Sequence, residues 1–416
     1  MESYDAVVVG GGPAGLQFAR ELGRRTDAAV AVLEANASLA DNDKSTGGTF
    51  EQVIEGFDVP ESVVMDASPD VIFEGPTASA TLAIPNYVLD FPAFLEWLGA
   101  DAADHDVDVR TGVRVTEPVV EDGAVVGVRC RDGRAEATVQ ADLVVDASGP
   151  AGALTGDLGM WDRDAAQRGI GLEFEATGEF DEDAMVFKFD HEVAPGGYAW
   201  TFPAGDDAFK VGVCWIDDFY ERHRAPEGGT STDDTMTDQT RVGDTIRDYV
   251  ESWAERDPRW AVDEVRAVHA GEARSDNSIN RRADDGIVAV GDAVSSINPL
   301  FGEGIRPAME SARMAADTAI DALAAGDTSR ERLAAYERRW NREKGPNWKR
   351  QRVVGELLYD FDARQQDRFV ERADGLSPAQ LDRLQRYELS LSDLLELYPF
   401  SPADLRKGPK LLRHLR

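Results

Sequence analysis

The sequence is poor in cysteine and lysine and contains no long apolar run. Cys130 and Cys214 are its only cysteines, too few for the four thiolates of an iron–sulfur cluster or a structural zinc site, so we expect no metal centre. A disulfide is not indicated, and a reducing cytoplasm suits the two thiols. No apolar run approaches the roughly 20 residues that span a bilayer, and the first predicted strand begins almost at Met1. We therefore expect neither a transmembrane helix nor a signal peptide.

Positive charge is also scarce. The formal net charge is −34, the estimated pI is 4.4, and only seven of the 44 basic residues are lysine. This acidic excess disfavours nucleic acid as a partner. Because the acidic residues are spread along the whole chain, they predict the solvated surface of a salt-adapted protein rather than an acidic binding site.

The beginning of the chain carries a dinucleotide-binding pattern. Residues 6–9 form an uninterrupted apolar run, as in a strand that is buried on both faces. Gly10, Gly12 and Gly15 follow at the G-x-G-x-x-G spacing and open a predicted helix at residues 16–24. The N-terminal N–H groups of such a helix bind phosphate. The alternative interpretation is a glycine-rich turn that only packs a helix on a sheet.

Acidic residues follow two further predicted strands. A second apolar strand at residues 29–33 ends in Glu34, about 20 residues after the glycines, where an acid binds a ribose hydroxyl. A much later strand at residues 286–291 ends in Asp292, and Gly302 and Gly304 then enter a helix. This second element favours FAD over NAD, because Asp292 would accept a hydrogen bond from a ribityl hydroxyl.

The helix that begins at Gly304 and Ile305 is predicted to direct positive partial charge at flavin N1 and O2. Reduced flavin is anionic at that edge, so the helix would stabilise it. An ordinary strand–turn–helix is the alternative.

These elements resemble a known family. Residues 10–15, Glu34 and residues 291–305 resemble the para-hydroxybenzoate-hydroxylase-like flavoproteins. Residues 198–203, Tyr-Ala-Trp-Thr-Phe-Pro, precede Gly212 by eight residues, which resembles the YxWxFP-x7/8-GxG substrate motif of the geranylgeranyl reductases. The acidic composition favours a haloarchaeal lipid-type member.

The resemblance implies two sets of site residues. The cofactor-binding set for FAD comprises Gly10, Gly12, Pro13, Ala14, Gly15, Glu34, Thr46, Gly47, Gly48, Val115, Asp292, Pro299, Gly302, Gly304 and Ile305. The substrate-binding set comprises Tyr198, Trp200, Phe202, Pro203 and Gly212. The three aromatic residues alternate, so they are predicted to share one face of a strand and to suit a long apolar chain, with sheet core as the alternative.

Three positions depart from the family pattern. Cys214 replaces the final glycine of GxG, and Thr46 replaces the cysteine that usually precedes the glycine pair of the flavin loop. Phe91 occupies the place where an arginine is expected near the start of a helix. The missing loop cysteine bears on the substrate or the direction of the reaction.

The predicted fold combines an α/β domain with a β domain. Residues 1–165 and 270–328 are expected to form a discontinuous Rossmann-type FAD-binding domain, a parallel sheet with a β-meander. Residues 166–269 are expected to form an antiparallel-sheet substrate domain, and residues 329–416 a helical C-terminal region. Residues 60–90 belong to the first domain or pack with the substrate domain.

The implied activity is saturation of C=C bonds in geranylgeranyl chains of archaeal membrane lipids or prenylated quinones, by hydride transfer from reduced flavin. The sequence does not identify the proton donor, for which His191 and His269 are candidates. It contains no second glycine fingerprint, so the electron donor is external: NAD(P)H, a reduced deazaflavin or ferredoxin. The alternatives are a class A-type flavin monooxygenase acting on an apolar substrate, and a carrier that binds lipid or FAD without turnover.

The C-terminus mixes basic and apolar residues. Arg406, Lys407, Lys410, Arg413 and Arg416 stand among leucines. On a helix this pattern favours peripheral contact with an anionic membrane, with a solvated tail as the alternative. A cytoplasmic protein that contacts the membrane at its surface is therefore one expectation.

Overall fold

The structure, a computed structural model, describes residues 2–164, 166–205, 207–224, 239–275 and 281–400, with side chains from residue 244 onward in the fourth range. The basic C-terminal segment lies outside these residues. The strands of the described ranges are β1 (Glu2–Val9), β2 (Val30–Leu33), β3 (Gly48–Phe50), β4 (Val64–Ser68), β5 (Val71–Glu74), β6 (Ser79–Leu82), β7 (Asn86–Leu89), β8 (Asp108–Arg110), β9 (Val113–Glu121), β10 (Ala124–Asp132), β11 (Ala135–Asp146), β12 (Gln167–Phe180), β13 (Met185–Lys188), β14 (Gly197–Pro203), β15 (Ala208–Ile216), β16 (Trp260–Ser275), β17 (Ala283–Asp284) and β18 (Ile287–Ala289).

The described ranges also contain helices. They are α1 (Pro13–Arg25), α2 (Glu51–Ile54), α3 (Phe91–Ala103), α4 (Asp217–His223), α5 (Gln239–Ala254), α6 (Ile305–Ala324), α7 (Arg330–Glu343), α8 (Gly345–Leu358), α9 (Ala363–Ala373), α10 (Pro378–Gln385) and α11 (Leu391–Leu397).

The chain divides into two compact units. The first unit comprises Met1–Asp43, Asp90–Ala166 and Ala273–Lys349, and the second comprises Lys44–Leu89, Gln167–Glu272 and Arg350–Arg416.

The first unit is built on a sheet with the strand order β17-β18-β11-β1-β2-β8. The pairs that join β18, β11, β1, β2 and β8 are parallel, and the meander β9-β10-β11 is antiparallel. The last four residues of β1 and all of β2 are buried, as expected for strands covered on both faces. Helix α1 packs against α3 and α6. This is the parallel sheet with a meander that the sequence predicts.

The second unit contains a larger sheet with the order β16-β12-β15-β14-β13-β5-β6 and a three-stranded sheet, β3-β7-β4. Strands β12, β15, β14 and β13 lie side by side in this order, and each pairs antiparallel with the next. Strand β13 also pairs parallel with β5. One face of the larger sheet packs on α5 through Val211, Val213, Trp215, Ile246 and Val250. The opposite face carries the alternating aromatic residues of β14.

Candidate functional site

In the first unit, the carboxyl ends of four strands meet at one edge of the sheet. Val9 lies beside Leu33 and Asp146, and Asp146 lies beside Ala289. Because β1, β2 and β18 are each followed by a predicted site segment, the fold brings the glycine turn, Glu34 and the Asp292 segment to the same edge. Ligands of open α/β sheets bind at such an edge.

The glycines of the first turn have different roles. Gly10 has a φ of +109°, and a Cβ on Gly15 would lie 2.0 Å from the Gly10 carbonyl oxygen, so both positions require glycine for folding. A Cβ on Gly12 would meet only the Asn42 amide nitrogen, at 3.8 Å. Gly12 is the N-cap of α1, no side chain caps it, and the first turn, which begins with Pro13 and Ala14, contains no acid. The open approach at Gly12 and the uncapped helix end fit a pyrophosphate.

Glu34 is held in place by the main chain. Its Oε2 accepts a hydrogen bond from the Gly11 N–H and its Oε1 accepts one from the Asn36 N–H, both at 2.7 Å. Each carboxylate oxygen keeps a further lone pair for a ribose hydroxyl. The sequence did not single out Gly11 and Asn36, whose contribution is through main-chain donors that no residue type reveals.

Val115 lies two residues after Val113, which is hydrogen-bonded to the main chain of Glu34. The N–H of Val113, at the start of β9, donates to the Glu34 carbonyl at 2.8 Å. Val115 pairs with Cys130 across the meander and packs on the core of the first sheet. Its predicted cofactor contact stays a prediction.

The second element is organised by Asn298, which the sequence did not indicate. Its side-chain oxygen accepts the N–H groups of Leu300 and Phe301 at 2.8 and 3.0 Å, and its carbonyl accepts the Gly302 N–H at 3.0 Å. These bonds fold residues 298–304, including Pro299, into a turn that ends at Gly304. Gly304 is the N-cap of α6 without a side-chain cap, and Ile305 is the first helical residue. Glu303 accepts the Arg306 N–H at 2.8 Å, so one donor of the first turn is already engaged.

Asp292 is a partly buried carboxyl near this turn, and its Oδ1 accepts the Ile297 N–H at 3.2 Å. Burial raises the pKa of Asp292 from 3.8 to about 6, and the Glu303 carboxylate adds to the rise. A bound hydroxyl donor would stabilise the ionised form.

Lowering the pH from about 8 to 5 is therefore expected to weaken FAD binding, and Asp292→Asn should remove most of this dependence. The carboxyl is protonated below about pH 6 in the folded apoprotein, and the neutral form is the weaker acceptor for a ribityl hydroxyl. Because the pKa is raised on folding, this group stabilises the apoprotein fully below about pH 4, and that contribution is lost as the pH rises through about 6. FAD titrations of both proteins across this range test it, and equal pH dependence in the asparagine variant would contradict the role.

In the second unit, the loop with the paired glycines contacts the aromatic motif. Gly47 has a φ of +76°, and its carbonyl accepts the Leu89 N–H at 3.0 Å. The Gly48 N–H donates to the Thr46 hydroxyl at 3.3 Å. A Cβ on Gly48 would lie 2.9 Å from the Phe202 ring, so the loop and the motif are in close contact.

Tyr198, Trp200 and Phe202, here called the aromatic wall, lie on one face of β14, as their alternation predicts. The ring centroids of Tyr198 and Trp200 are 5.8 Å apart, and those of Trp200 and Phe202 are 6.5 Å apart. Pro203 is the last residue of β14. Trp200 pairs with Gly212 of β15, where a Cβ would lie 2.3 Å from the indole ring. Gly212 is therefore required for the position of this ring.

Cys214 faces Tyr198 across the same two strands. The two side chains are hydrogen-bonded to each other, and burial raises the pKa of the Cys214 thiol to about 12. Both groups therefore stay neutral at physiological pH, which keeps this part of the wall compatible with an apolar chain.

Two family models match the chain. A model of the geranylgeranyl reductase catalytic domain matches residues 168–226, which include the aromatic wall, and a tryptophan halogenase model matches residues 43–168.

Similar proteins span nearly the whole chain. A digeranylgeranylglycerophospholipid reductase of Haloferax volcanii is 36% identical over 396 residues, which cover 92% of each chain. The solved structure of a geranylgeranyl bacteriochlorophyll reductase-like protein from Thermoplasma acidophilum has a TM-score of 0.81 at 21% identity, covering 100% of this chain and 99% of that one. A myxobacterial chondrochloren halogenase, described as a variant of FAD-dependent halogenases, has a TM-score of 0.66 at 19% identity, covering 100% and 97%.

The solved structures confirm the predicted fold class, and with the halogenase family model they indicate an FAD-binding fold. The composition predicts a salt-adapted surface, and this prediction is consistent with a relative from Haloferax. Its extent of identity confirms the family that the motifs indicate. The chain belongs to the digeranylgeranylglycerophospholipid reductase family, within the geranylgeranyl reductases, and is an FAD-dependent oxidoreductase.

Proposed function

We propose that this enzyme saturates C=C bonds in the geranylgeranyl chains of an archaeal membrane lipid or a prenylated quinone. The observation that carries the proposal is the aromatic wall, which lies inside the match to the reductase catalytic domain. The chemistry that bound, reduced FAD would supply is a hydride for one alkene carbon, and the other carbon would take up a proton. An external donor, a nicotinamide, a reduced deazaflavin or a ferredoxin, renews the reducing equivalents.

The first unit would hold the cofactor through main-chain N–H groups and two carboxylates. The N-terminal ends of α1 and α6 would provide N–H donors. The Glu34 carboxylate would accept a hydrogen bond from a ribose hydroxyl, and the Asp292 carboxylate would accept one from a ribityl hydroxyl. These groups bind and orient, and none of them has to move a proton to the substrate.

The second unit would bind the prenyl chain against the aromatic wall. Trp200 and Phe202 are buried, and Phe187 extends the apolar surface, with its ring centroid 5.2 Å from that of Phe202. Such a surface favours contact with a long apolar chain and excludes water.

The two histidines that the sequence offered as proton donors have other partners. His191 Nε2 lies 2.9 Å from the Phe361 carbonyl oxygen, and its Nδ1 accepts the Gly196 N–H at 3.1 Å. Burial lowers the pKa of His191 to about 4, so the ring is neutral at pH 7. His269 Nε2 lies 3.8 Å from a carboxylate oxygen of Glu175. Neither histidine is assigned as the proton donor.

The family relationship does not favour the alternative function, a flavin monooxygenase.

Peripheral membrane contact from the cytoplasmic side belongs to the same proposal. Among the described residues, no helix is both long and apolar enough to cross a membrane. Leu391, Leu395 and Phe400 near the C-terminus expose 60%, 51% and 57% of their surface. Leu391 and Leu395 are one helical turn apart on α11, so these two side chains form a small apolar surface that suits a bilayer.

A single anaerobic experiment tests the proposal. Enzyme reduced with dithionite is mixed with liposomes that contain geranylgeranylated diether phospholipid, and the flavin absorbance and the lipid masses are followed. The expected result is flavin reoxidation with a gain of two hydrogens per reduced bond, and sedimentation of the protein with the liposomes. Matched liposomes with fully saturated lipid are the control and should leave the flavin reduced. Absence of reoxidation with every prenyl substrate would reject the function, and protein that stays in the supernatant would reject membrane contact.

A further inference from the structure

One row of three residues crosses the larger sheet of the second unit. Trp200 of β14 pairs with Gly212 of β15, and Gly212 pairs with Glu173 of β12. Adjacent strands lie about 4.8 Å apart, so a side chain on β14 must cross β15 to reach β12. The Trp200 indole does so, since a Cβ on Gly212 would lie within 2.5 Å of two of its ring atoms.

The crossing ends in a hydrogen bond. Trp200 Nε1–H donates to Glu173 Oε2 at 2.7 Å, and the exposed fractions of the two residues are 6% and 3%. A buried indole N–H requires an acceptor, and a carboxylate is a stronger acceptor than an amide or a carbonyl. The bond fixes the ring plane, because the flipped indole would point its N–H away from Glu173.

A buried lysine accompanies this carboxyl. Lys210 is 2% exposed, belongs to the next row of the same face, and has its Nζ 3.9 Å from Glu173 Oε1. Burial raises the pKa of Glu173, and the Lys210 charge opposes that rise. The lysine therefore favours the charged carboxylate as the partner of the indole.

Stability alone does not explain a buried glutamate and lysine at this position. A buried ion pair is often no more stabilising than apolar residues of similar volume, because both charges lose their water. Around Glu173 this face carries Gly212 and Lys210 of β15, and the Trp200 indole is the aromatic group that reaches the carboxyl. The specific consequence of the pair is the orientation of one ring of the aromatic wall.

We infer that Glu173 is a positioning residue, which fixes the Trp200 indole in the orientation that contacts the prenyl chain. The inference rests on the proposed function for the identity of the ligand. The contact between Glu173 and Trp200 can be measured without it.

A double-mutant cycle tests the inference. Glu173→Met should raise the KM for the geranylgeranyl lipid about tenfold with kcat and FAD content nearly unchanged, since roughly 1.4 kcal/mol of binding would be lost. Glu173→Gln retains an acceptor and should stay within about threefold of the wild type. In the Trp200→Phe background, Glu173→Met should have no further effect on the KM, because the indole N–H that Glu173 holds is gone. An equal effect of Glu173→Met in both backgrounds would overturn the inference.

A second readout needs no turnover. The Nε1–H resonance of Trp200 is identified in a ¹H–¹⁵N spectrum by its loss in Trp200→Phe. It should shift in Glu173→Met and stay near its wild-type position in Glu173→Gln. A resonance that shifts in neither variant would overturn the inference. This readout does not depend on reduction of a prenyl lipid, so failure of the inference and failure of the proposed function are distinguishable. If Glu173→Met fails to fold, the charge-free variant Glu173→Met with Lys210→Met replaces it, with the same expectations.

Discussion

Gly12→Asp is expected to abolish FAD binding while leaving the apoprotein as stable as the wild type. The backbone at Gly12 is extended, with φ −82° and ψ −178°, and a Cβ there meets little, so the fold accepts aspartate. An N-cap aspartate accepts the N–H groups of the first turn and stabilises a helix by about a few tenths of a kcal/mol relative to glycine. The same carboxylate would occupy the donors that a pyrophosphate needs and would repel its charge.

The expected loss of FAD affinity is about 100-fold or more: a lost ionic hydrogen bond contributes roughly 1.5–3 kcal/mol, about 1.4 kcal/mol being tenfold, and the repulsion between carboxylate and pyrophosphate adds to it. Titration of apoprotein with FAD, monitored by quenching of flavin fluorescence, measures the affinity, and calorimetry measures the Tm. Gly15→Ala is the matched control, because its Cβ would lie 2.0 Å from the Gly10 carbonyl oxygen and should lower the Tm. An aspartate variant that binds FAD as tightly as the wild type would show that the cofactor does not approach Gly12.

Gly212→Ala is expected to lower kcat/KM for the prenyl lipid by roughly 10- to 100-fold, as a displacement of about 1 Å in a positioned group can do. The added Cβ would lie 2.3 Å from Trp200 Cζ2 and 2.7 Å from the Leu172 carbonyl oxygen, so the indole ring has to move. Such overpacking destabilises by about 1–3 kcal/mol, which denaturant unfolding can measure. FAD content should not change, because the predicted pyrophosphate and ribose contacts lie in the first unit.

Gly171→Ala is the matched control for this substitution. Gly171 lies on the same face of β12, one row from Glu173, and its Cβ would meet Trp200 and Cys214 at 3.6 Å, an ordinary contact. It should leave kcat/KM within about threefold and stability within roughly 0.5 kcal/mol of the wild type. Equal losses in the two alanine variants would mean that the Trp200 ring position has no special importance for substrate.

The segments that the structure brings to one edge of the first sheet could be predicted from the sequence because their signals are local. The glycine spacing, Glu34 at the end of one strand and Asp292 at the end of another depend on a few neighbouring residues, and a parallel sheet aligns the ends of its strands. The sequence could not indicate Asn298, whose side chain folds the turn before α6, because one asparagine in a loop has many ordinary uses.

The aromatic half was predicted only in part. Alternation placed three rings on one face of β14, but residues 171–176 of β12 alternate in the same way and by themselves indicate a polar face in water. The structure buries Glu173 instead, since Trp200 covers it from two strands away. No spacing along the chain encodes that row, because the register of β12, β15 and β14 depends on how separate segments pair.

The sequence by itself determined the family, the flavoprotein fold and the segments that are predicted to hold the cofactor, since these depend on contiguous patterns of glycine, acid and apolar strand. Only the tertiary structure decided which distant residues meet. It placed β5 and β6, from residues 71–82, in one sheet with residues 167–272, and it joined Trp200, Gly212 and Glu173 in a single row. The physical reason is that strand pairing and side-chain burial depend on contacts between segments far apart in the chain, whereas local propensity depends on neighbouring residues alone.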